Sequence, residues 1–306
     1  MPHTVLENLW RRLLSPARYT ARQDSSWNEE IEMLYRLGIN MEDTFRYVYS
    51  QKPDLINFQQ WIELNRKDSG EIEQQLITGE VLSQDDLAFY HTNGYIIVRN
   101  AVSKADCEAT CNAVWDFLGK NPSDKSSWYN VHEEQRGLMV SFYDHETLNK
   151  NRFSPKIKKA YQQLYNTTEL YRTIDKVSFS PPETETFSFM GSSLHWDVSL
   201  QLPIPFALQG LLYLTDCGPD DGAFNCVPGF HNIIDNWLGD IQPNENPREK
   251  ALKTLQPLPV TANAGDFIIW NNKLPHCATP NKGLMPRMVQ YLTYLPEGYK
   301  AASEFL

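Results

Sequence analysis

Residues 265–295 read GDFIIWNNKLPHCATPNKGLMPRMVQYLTYL, and this stretch decides the class of fold. Its two apolar parts, FIIW and RMVQYLTYL, are rich in branched and aromatic residues, a composition typical of β-strands. Pro, Asn and Gly stand between them and favour turns over regular structure. The stretch therefore predicts two short strands joined by a polar connection that contains one histidine, His276.

The same style of sequence continues upstream to about residue 170. RTIDKVSFS, TFSFM and ALQGLLYLTD are further β-like segments, and clusters of Pro, Gly and Asn separate them. Short strands at this spacing are typical of a sandwich or barrel, and the chain has no alternating strand–helix pattern of the kind that builds a doubly wound sheet. We therefore predict a mainly β fold with flanking helices.

The start of the chain, up to about residue 80, has a different pattern. WNEEIEMLYRLG, INMEDTFRYVYSQ and DLINFQQWIELN place apolar residues three and four positions apart, which is typical of amphipathic helices. We predict a helical N-terminal extension over residues 1–80 and a β-rich domain over residues 81–306. A short acidic stretch around Ser69 and Gly70 would join the two parts.

The predicted β-rich domain opens with signals for two helices and a strand. Ser83, followed three positions later by an acid, has the form of a capping box, and Gly94 ends the helix that it starts. The strand YIIVRN comes next. A second capping residue, Ser103, begins a helix that runs to Gly119.

The composition excludes several classes of function. Lys and Arg number 28 and Asp and Glu 38, a formal net charge of −10. This balance argues against nucleic-acid binding, because basic residues that neutralise phosphates supply most of that affinity. It also argues against attachment to an anionic membrane, and no apolar run approaches the length that spans a bilayer. We expect a cytoplasmic protein with reduced cysteines, since five cysteines without a repeated Cys-x-x-Cys spacing are not typical of a disulfide framework.

The segment GSSLHWDVSL contains the first candidate metal ligands, His195 and Asp197. In an extended chain, residues two apart point to the same side, so the imidazole and the carboxylate converge while Trp196 faces away between them. One nitrogen and one oxygen ligand suit iron(II) or a similar divalent metal. A His-x-Asp pattern taken alone is weak evidence, because it occurs by chance in many chains.

Two further residues complete a candidate site. His276 lies far enough beyond His195 to leave room for the intervening strands of a barrel, and it would be the third ligand of a facial triad. Arg287 follows His276 across the turn-rich PNKG segment, where a hairpin would return the chain beside the histidine. An inward-facing arginine is costly unless it meets an anion, and its planar fork suits a carboxylate.

The four residues together indicate a specific chemistry. Three protein ligands on one face of a metal leave three positions free, two for a bidentate 2-oxo acid and one for dioxygen. The arginine would hold the far carboxylate of 2-oxoglutarate. Taken singly, each residue has a plain alternative, such as a histidine near a turn or an arginine in a surface salt bridge.

At these residues the chain resembles the phytanoyl-CoA dioxygenase family of iron(II)/2-oxoglutarate-dependent oxygenases, from about residue 81 to 295. LSQDDLAFYHTNGYIIVRN is similar to the family's opening helix and strand, HWD to its paired ligands, and GAFNCVPGFH to one of its turns. GDFIIWNNKLPHCATPNKGLMPR is similar to the part that contains its distal histidine and its arginine.

The resemblance implies a double-stranded β-helix, a jelly-roll or cupin-like barrel with iron at its open end. It implies iron(II) bound by His195, Asp197 and His276, 2-oxoglutarate bound by Arg287, and dioxygen as the second co-substrate. It also implies that His231, in the VPGFH turn, is a structural residue and not a ligand.

The resemblance does not name the substrate. The family's name refers to a CoA thioester, but this acidic chain has no basic cluster suited to the phosphates of CoA, and many relatives act on amino acids, lipids or secondary metabolites. We expect a small-molecule substrate. Related halogenases have a small residue in place of the carboxylate ligand, so Asp197 favours hydroxylation, or another oxidation such as desaturation or ring formation.

Candidate substrate contacts come from two segments and from the metal-binding motif. SSWYNVHEEQRGLMVSFYDHE, which contains Arg136 and Met139, suits a lid or pocket wall. Lys176 lies within the apolar IDKVSF and would face an anionic group, and Trp196 is a further candidate because it stands between two ligands. A solvent-facing strand edge or ordinary packing is the alternative for these residues.

Two other functions stay open from the sequence. The barrel could be a non-catalytic binding or regulatory module with a vestigial metal site. It could also be a metal-dependent, cupin-like isomerase or hydrolase, in which Arg287 would hold the substrate's own acid. The sequence predicts neither the substrate nor the oligomeric state.

Overall fold

The computed structural model describes residues 2–15, 26–67, 77, 79–189 and 191–302. The acidic connection predicted around Ser69 and Gly70 lies outside the described residues. Within the described part of the chain, no helix is long and apolar enough to cross a membrane.

The chain begins with four helices, α1 (Pro2–Leu14), α2 (Ser26–Arg36), α3 (Met41–Gln51) and α4 (Leu55–Asn65). The last three confirm the predicted helices. Asn40 caps α3 by accepting hydrogen bonds from two backbone N–H groups of its first turn. The apolar faces of the four helices pack into a separate small core, formed by Leu6, Leu9, Leu13, Leu34, Ile39, Val48, Phe58 and Ile62. A division of the chain at residue 80 stays a prediction.

Next come α5 (Gln84–Asn93), β1 (Tyr95–Val98) and α6 (Lys104–Leu118), as the sequence predicts. The capping box at Ser83 is formed in full, and Gly94 ends α5 in the left-handed conformation with φ 79°. These local signals predict the structure well because each depends on residues that are close in sequence.

A mixed segment leads from α6 into the barrel. It contains a short 3-10 helix at Lys125–Tyr129, the strands β2 (Gln135–Arg136) and β3 (Met139–Val140), and the helices α7 (Glu146–Arg152) and α8 (Pro155–Tyr165). The two strands add to the edge of the main sheet, since β3 pairs with the strand at Val177–Ser180.

The rest of the chain is mostly strands. They are β4 (Leu170–Arg172), β5 (Val177–Ser180), β6 (Leu208–Tyr213), β7 (Phe224–Cys226), β8 (Leu258–Val260), β9 (Phe267–Asn271), β10 (His276–Ala278), β11 (Arg287–Tyr291) and β12 (Tyr294–Pro296). Two helices, α9 (Ile234–Gly239) and α10 (Pro247–Thr254), stand between β7 and β8.

The strands form two facing antiparallel sheets and a small third one. The major sheet has the order β1-β9-β6-β11-β5-β3-β2, the minor sheet β10-β7-β8, and a third sheet pairs β12 with β4. Alternate residues of β9 pack on opposite faces of the major sheet: Ile269 meets the flanking helices, whereas Ile268 meets the minor sheet. Because both faces of the major sheet are buried at β9, the residues FIIW of this strand are all apolar. The predicted mainly β fold, a jelly-roll with flanking helices, is confirmed.

Three predictions about strands are wrong. TFSFM forms no strand among its described residues, and only an isolated bridge joins Thr184 to Phe187. RTIDKVSFS and RMVQYLTYL each break into two strands that belong to different sheets. The breaks lie side by side, because the Thr173 N–H donates to the Thr293 carbonyl at 2.9 Å and the Thr293 N–H donates to Thr173 Oγ1 at 3.2 Å.

The hairpin predicted between His276 and Arg287 is also wrong. β10 pairs with β7 in the minor sheet, whereas β11 pairs with β5 and β6 in the major sheet. The PNKG segment therefore crosses from one sheet to the other. His276 and Arg287 nevertheless line the same cavity between the sheets.

Candidate active site

An antiparallel bridge brings the two histidines together. The backbone N–H of His195 donates to the carbonyl of His276 at 3.0 Å, and the N–H of His276 donates to the carbonyl of His195 at 2.9 Å. Residues paired in this way point to the same side, and the two ring centroids lie 4.6 Å apart. His195, although far upstream in the sequence, thus pairs with His276, the first residue of β10.

Asp197 completes the group from two positions beyond His195. Its Oδ1 lies 3.3 Å from Nε2 of His195 and its Oδ2 lies 3.2 Å from Nε2 of His276. One donor atom from each residue lies within 4.8 Å of the others, a spacing at which the three could hold a metal ion. The structure therefore brings together the three residues predicted as ligands.

The tautomers of the two imidazoles favour a cation between them. Nδ1 of His195 lies 2.8 Å from the Ser193 carbonyl, and Nδ1 of His276 lies 3.1 Å from the Leu274 carbonyl. A carbonyl only accepts, so each Nδ1 donates its proton and each ring directs Nε2 at Asp197, as a lone pair when the ring is neutral. Lone pairs facing a carboxylate at this distance repel unless a proton or a metal ion lies between them, and ligand histidines are held by such Nδ1–H bonds in metal sites.

Electrostatics agree with this reading. Burial alone would raise the pKa of Asp197, but positive charge on His195 and His276 and the Nε2–H hydrogen bonds that the protonated rings donate outweigh it and hold that pKa well below its usual range. Burial alone would lower the pKa of His195, but the hydrogen bond with Asp197 and its negative charge raise it. The Asp197 carboxylate is thus ionised and attracts positive charge.

The spacing of the donors fits a small divalent metal. Metal bonds to nitrogen and oxygen of about 2.1 Å place neighbouring ligand atoms of an octahedral site about 3 Å apart. The separations of 3.3 Å between Asp197 Oδ1 and His195 Nε2 and of 3.2 Å between Asp197 Oδ2 and His276 Nε2 are each close to this value, and they involve the two different oxygens of the carboxylate. Two imidazoles and one carboxylate on one face are also the donor set of the facial triad of iron(II) oxygenases.

The neighbours of Asp197 hold it in place, and the sequence reasoning missed them. Gln209 in β6 donates from Nε2 to Asp197 Oδ2 at 2.7 Å, and Trp270 donates from Nε1 to Gln209 Oε1 at 3.0 Å. Arg248 in α10 donates to the carbonyls of Trp196 and Val198, on either side of Asp197, at 2.9 Å each. Gln209 is a polar residue within the otherwise apolar strand β6, and this was the available sequence signal for its role.

Arg287 is buried without a counter-ion. Its side chain is at the first position of β11, where only 2% of the residue is exposed. Nη1 makes a long contact of 3.4 Å with Ser178 Oγ, the guanidinium lies 5.5 Å from the centre of the Tyr213 ring, and Nε has no hydrogen-bond partner. Among the described residues no carboxylate forms an ion pair with it. A buried, unneutralised guanidinium that lines a cavity is suited to bind a carboxylate.

One cavity of about 820 Å³ is lined by the three candidate ligands, Gln209 and Arg287. Arg136, Met139 and Lys176, the predicted substrate contacts, line it together with the candidate ligands. Trp196 does not line the cavity, so its prediction as a substrate contact is wrong. It is 1% exposed, packs against Phe230 and Trp237, and donates from Nε1 to the carbonyl of Lys273, because alternation turns it away from its neighbours into the core.

The helical extension supplies part of the cavity wall. Asn40, Met41 and Glu42 line the cavity from the start of α3. The carboxylate of Glu42 pairs with Lys176 Nζ at 2.6 Å and accepts a hydrogen bond from Tyr143. Lys176 thus faces an anion of the chain itself, and its role as a substrate contact stays a prediction. The sequence holds no signal for this pairing, since the two partners are far apart along the chain.

His231 has a structural position away from this group. Its Nε2 lies 3.2 Å from the carbonyl of His91, and its ring fills the space beside Gly94, where a Cβ would lie 2.4 Å from Nδ1. The VPGFH turn thereby docks on the end of α5. This agrees with the expectation that His231 is not a ligand.

The family model described as phytanoyl-CoA dioxygenase (PhyH) matches residues 90–289. The "Putative phytanoyl-CoA dioxygenase" of Dictyostelium discoideum is 22% identical over 261 residues, 68% of this chain and 74% of that protein. The Ava biosynthesis cluster protein O of Aspergillus versicolor is 22% identical over 242 residues, 69% of this chain and 77% of that protein.

Solved structures show the same fold. The non-haem α-ketoglutarate-dependent epimerase SnoN from nogalamycin biosynthesis has a TM-score of 0.51 at 18% identity, over 69% of this chain and 82% of its own. HygX from Streptomyces hygroscopicus, with nickel, 2-oxoglutarate and hygromycin B bound, has a TM-score of 0.51 at 16% identity, over 71% of this chain and 88% of its own. The family match covers most of the chain, including His195, Asp197, His276 and Arg287. The chain therefore belongs to the phytanoyl-CoA dioxygenase family of iron(II)- and 2-oxoglutarate-dependent oxygenases.

Proposed function

We propose that His195, Asp197 and His276 hold iron(II), that Arg287 binds 2-oxoglutarate, and that the enzyme hydroxylates a C–H bond of a small molecule. The main support is one observation: two imidazole Nε2 atoms and a carboxylate converge in a cavity that is also lined by a buried arginine without a counter-ion. The three ligand residues lack a cation, which iron(II) would supply. Arg287 lacks an anion, which 2-oxoglutarate would supply.

When bound, iron(II) couples the decarboxylation of 2-oxoglutarate by dioxygen to the oxidation of a C–H bond, with succinate and carbon dioxide as products. The residues of this chain position the reactants. The Ser193 and Leu274 carbonyls hold the imidazoles in the tautomer that has a free Nε2. Gln209 orients the carboxylate of Asp197, and Arg248 holds the backbone on either side of it.

Arg287 would select a dicarboxylate co-substrate. Its guanidinium is buried in a strand, so its position varies little, and it offers a fork of donors to a planar carboxylate. The neighbouring Tyr213 ring covers one side of the guanidinium and keeps water from it. A monocarboxylic 2-oxo acid would leave this buried charge unpaired and is expected to bind much more weakly.

The far part of the cavity would bind the substrate. Its charged side chains compensate each other in part, since Lys176 is paired with Glu42. Apolar side chains form much of the remaining wall, among them Leu138, Met139 and Ile174. Such a wall favours a largely uncharged molecule with an apolar body and a polar group near the Glu42–Lys176 pair. Names of relatives from biosynthetic clusters support a secondary metabolite as the substrate class.

An anaerobic titration tests the metal and co-substrate together. Adding iron(II) and 2-oxoglutarate to the full chain without oxygen is expected to give a visible charge-transfer band. His195→Ala should abolish the band, whereas His91→Ala, which removes an exposed histidine, should leave it unchanged. No band in the wild type, or tight zinc binding in its place, would contradict the proposal.

Mass spectrometry of metabolite pools then tests the reaction. The enzyme, iron(II), ascorbate and 2-oxoglutarate should convert one metabolite to a product with one additional oxygen atom, matched by an equal amount of succinate. Loss of two hydrogens would indicate desaturation or ring formation. Metal binding without any succinate across a wide pool would favour the non-catalytic module, and turnover without oxygen would favour an isomerase or hydrolase.

A further inference from the structure

A second cavity of about 400 Å³ lies between the helical extension and the barrel. The extension contributes Asp43, Trp61 and Lys67 to its wall, and the other side contributes Arg152 and Arg172. It is distinct from the active-site cavity, although Asn40 and Ile174 line both. Nothing in the proposed reaction uses it.

Arg152, at the end of α7, is a buried charge with neutral partners. Only 1% of the residue is exposed. Nη1 donates to Asn149 Oδ1 at 2.9 Å and Nη2 to the backbone carbonyl of Asp175 at 3.0 Å, while Nε has no hydrogen-bond partner. A guanidinium in such a place is stabilised only if an anion offsets the cost of burying its charge.

Arg172, in β4, faces the same cavity. Its guanidinium lies 3.9 Å from the centre of the Phe153 ring, and it forms no hydrogen bond or ion pair with any described residue. The two arginines repel each other. Burial lowers the pKa of Arg152 to about 10; Asp175 and Asp144 oppose this shift, and the charge of Arg172 adds to it. Both side chains remain cations at neutral pH.

Among the described residues, no acid around this cavity forms an ion pair with Arg152 or Arg172, although the charges of Asp175 and Asp144 act on Arg152 from a greater distance. Asp144 forms an ion pair with Lys67 and accepts from Asn149. Asp175 accepts a hydrogen bond from Thr173 and lines the other cavity.

Asp43 lines the second cavity but forms no ion pair among the described residues. The charged side chains of the wall are three cations, Arg152, Arg172 and Lys67, and two acids, Asp43 and Asp144. The lining side chains therefore carry one more positive than negative charge, and Asp175 acts on Arg152 from outside the lining.

We propose that this second cavity binds the oxyanion group of a small molecule, a phosphate or a carboxylate, between Arg152 and Arg172. Two guanidinium groups offer several N–H donors, which suits the oxygens of either group. Trp61 and Phe153 supply aromatic surface for the rest of the molecule. A volume of about 400 Å³ exceeds that of the oxyanion alone and is within the range of small-ligand sites.

Thermal unfolding of the full chain tests this site without iron or 2-oxoglutarate. Inorganic phosphate and acetate, each titrated at constant ionic strength, are the probes. At least one of them should raise the Tm of the wild type in a saturable way. A response to phosphate only, or to acetate only, would support the proposal and identify the preferred group. No saturable rise with either anion would overturn it.

Three variants separate specific binding from general salt effects. Arg172→Met keeps the apolar stem over Phe153 and should weaken anion binding at least tenfold. Arg66→Met removes an exposed arginine outside the cavity wall and should leave binding unchanged. Asp43→Asn removes a negative charge from the wall and should strengthen binding several-fold. This third variant keeps the test decisive if Arg172→Met does not fold. An equal anion response in all four proteins would contradict the proposal.

Discussion

At the residue scale, the candidate metal centre depends on which ring nitrogen of His195 and of His276 carries the proton. The Ser193 and Leu274 carbonyls take the Nδ1 protons of His195 and His276, so both Nε2 lone pairs are directed at the carboxylate of Asp197. The three side chains repel one another unless positive charge lies between them. A metal ion removes this repulsion and makes the same geometry favourable.

Arg287→Met is expected to weaken 2-oxoglutarate binding without preventing metal binding. Charge-assisted hydrogen bonds contribute about 1.5–3 kcal/mol, and each 1.4 kcal/mol is about tenfold in affinity. The KM for 2-oxoglutarate should therefore rise at least tenfold, while the dissociation constant of the metal alone stays near the wild-type value. Arg287→Lys, which keeps the charge but loses the fork, should be intermediate. An unchanged KM in Arg287→Met would show that the co-substrate binds elsewhere.

Gln209→Leu is expected to weaken iron(II) binding by about ten- to a hundredfold, because it removes the hydrogen bond that orients Asp197. An anaerobic titration of the chain with iron(II) measures the effect. Gln201→Leu, at an exposed position, is the matched control and should bind iron(II) like the wild type. If both variants bind equally well, Gln209 does not position the ligand.

At the element scale, α3 connects the helical extension to the active site. Its first turn contributes Met41 and Glu42 to the cavity wall, and Glu42 holds Lys176 of the barrel. Residues 35–42 lie outside the part of the chain that matches the family, residues 90–289. We infer that substrate selectivity depends in part on a segment that the family pattern does not cover.

Glu42→Gln is expected to change substrate binding alone. The substitution leaves Lys176 without its counter-ion beside the substrate, so the KM for the substrate found by mass spectrometry should change several-fold. The KM for 2-oxoglutarate and the charge-transfer band should not change. Glu63→Gln, an exposed acid on α4, is the control. Equal substrate KM values in both variants would place the substrate away from α3.

Elements with local signals could be predicted, and those with distant partners could not. The caps at Ser83 and Ser103 define α5 and α6 because every interaction lies within one helical turn. The path from His276 to Arg287 was predicted as a hairpin, since the sequence does not show that β10 and β11 pair in different sheets. The triad itself was predictable because alternation places His195 and Asp197 on one side. Gln209, Arg248 and the α3 contacts depend on tertiary pairing and were missed.

At the scale of the whole molecule, the candidate active site joins parts that pack separately. β10 of the minor sheet supplies one histidine, β11 of the major sheet supplies the arginine, and the extension closes the far wall. Ligands bound at such a junction stabilise the folded chain as a unit, because the unfolded chain does not assemble the site.

Nickel(II) with 2-oxoglutarate is expected to raise the Tm of the wild type. A ligand at 100 times its dissociation constant adds about 2.7 kcal/mol, which corresponds to roughly 4 °C for a chain of this size. A chelator should reverse the rise. His276→Ala should show no such shift even if it folds normally, since it lacks one ligand. A rise of equal size in that variant would indicate metal binding outside the triad.

Anomalous X-ray diffraction from crystals grown without oxygen in the presence of iron(II) and 2-oxoglutarate tests the proposed metal centre most directly. We expect one strong anomalous peak at the iron edge, in contact with Nε2 of His195, Nε2 of His276 and a carboxylate oxygen of Asp197. We also expect 2-oxoglutarate density with the distal carboxylate on Arg287. A peak at any other cluster, or a metal at the three ligands without 2-oxoglutarate near Arg287, would contradict the proposed centre.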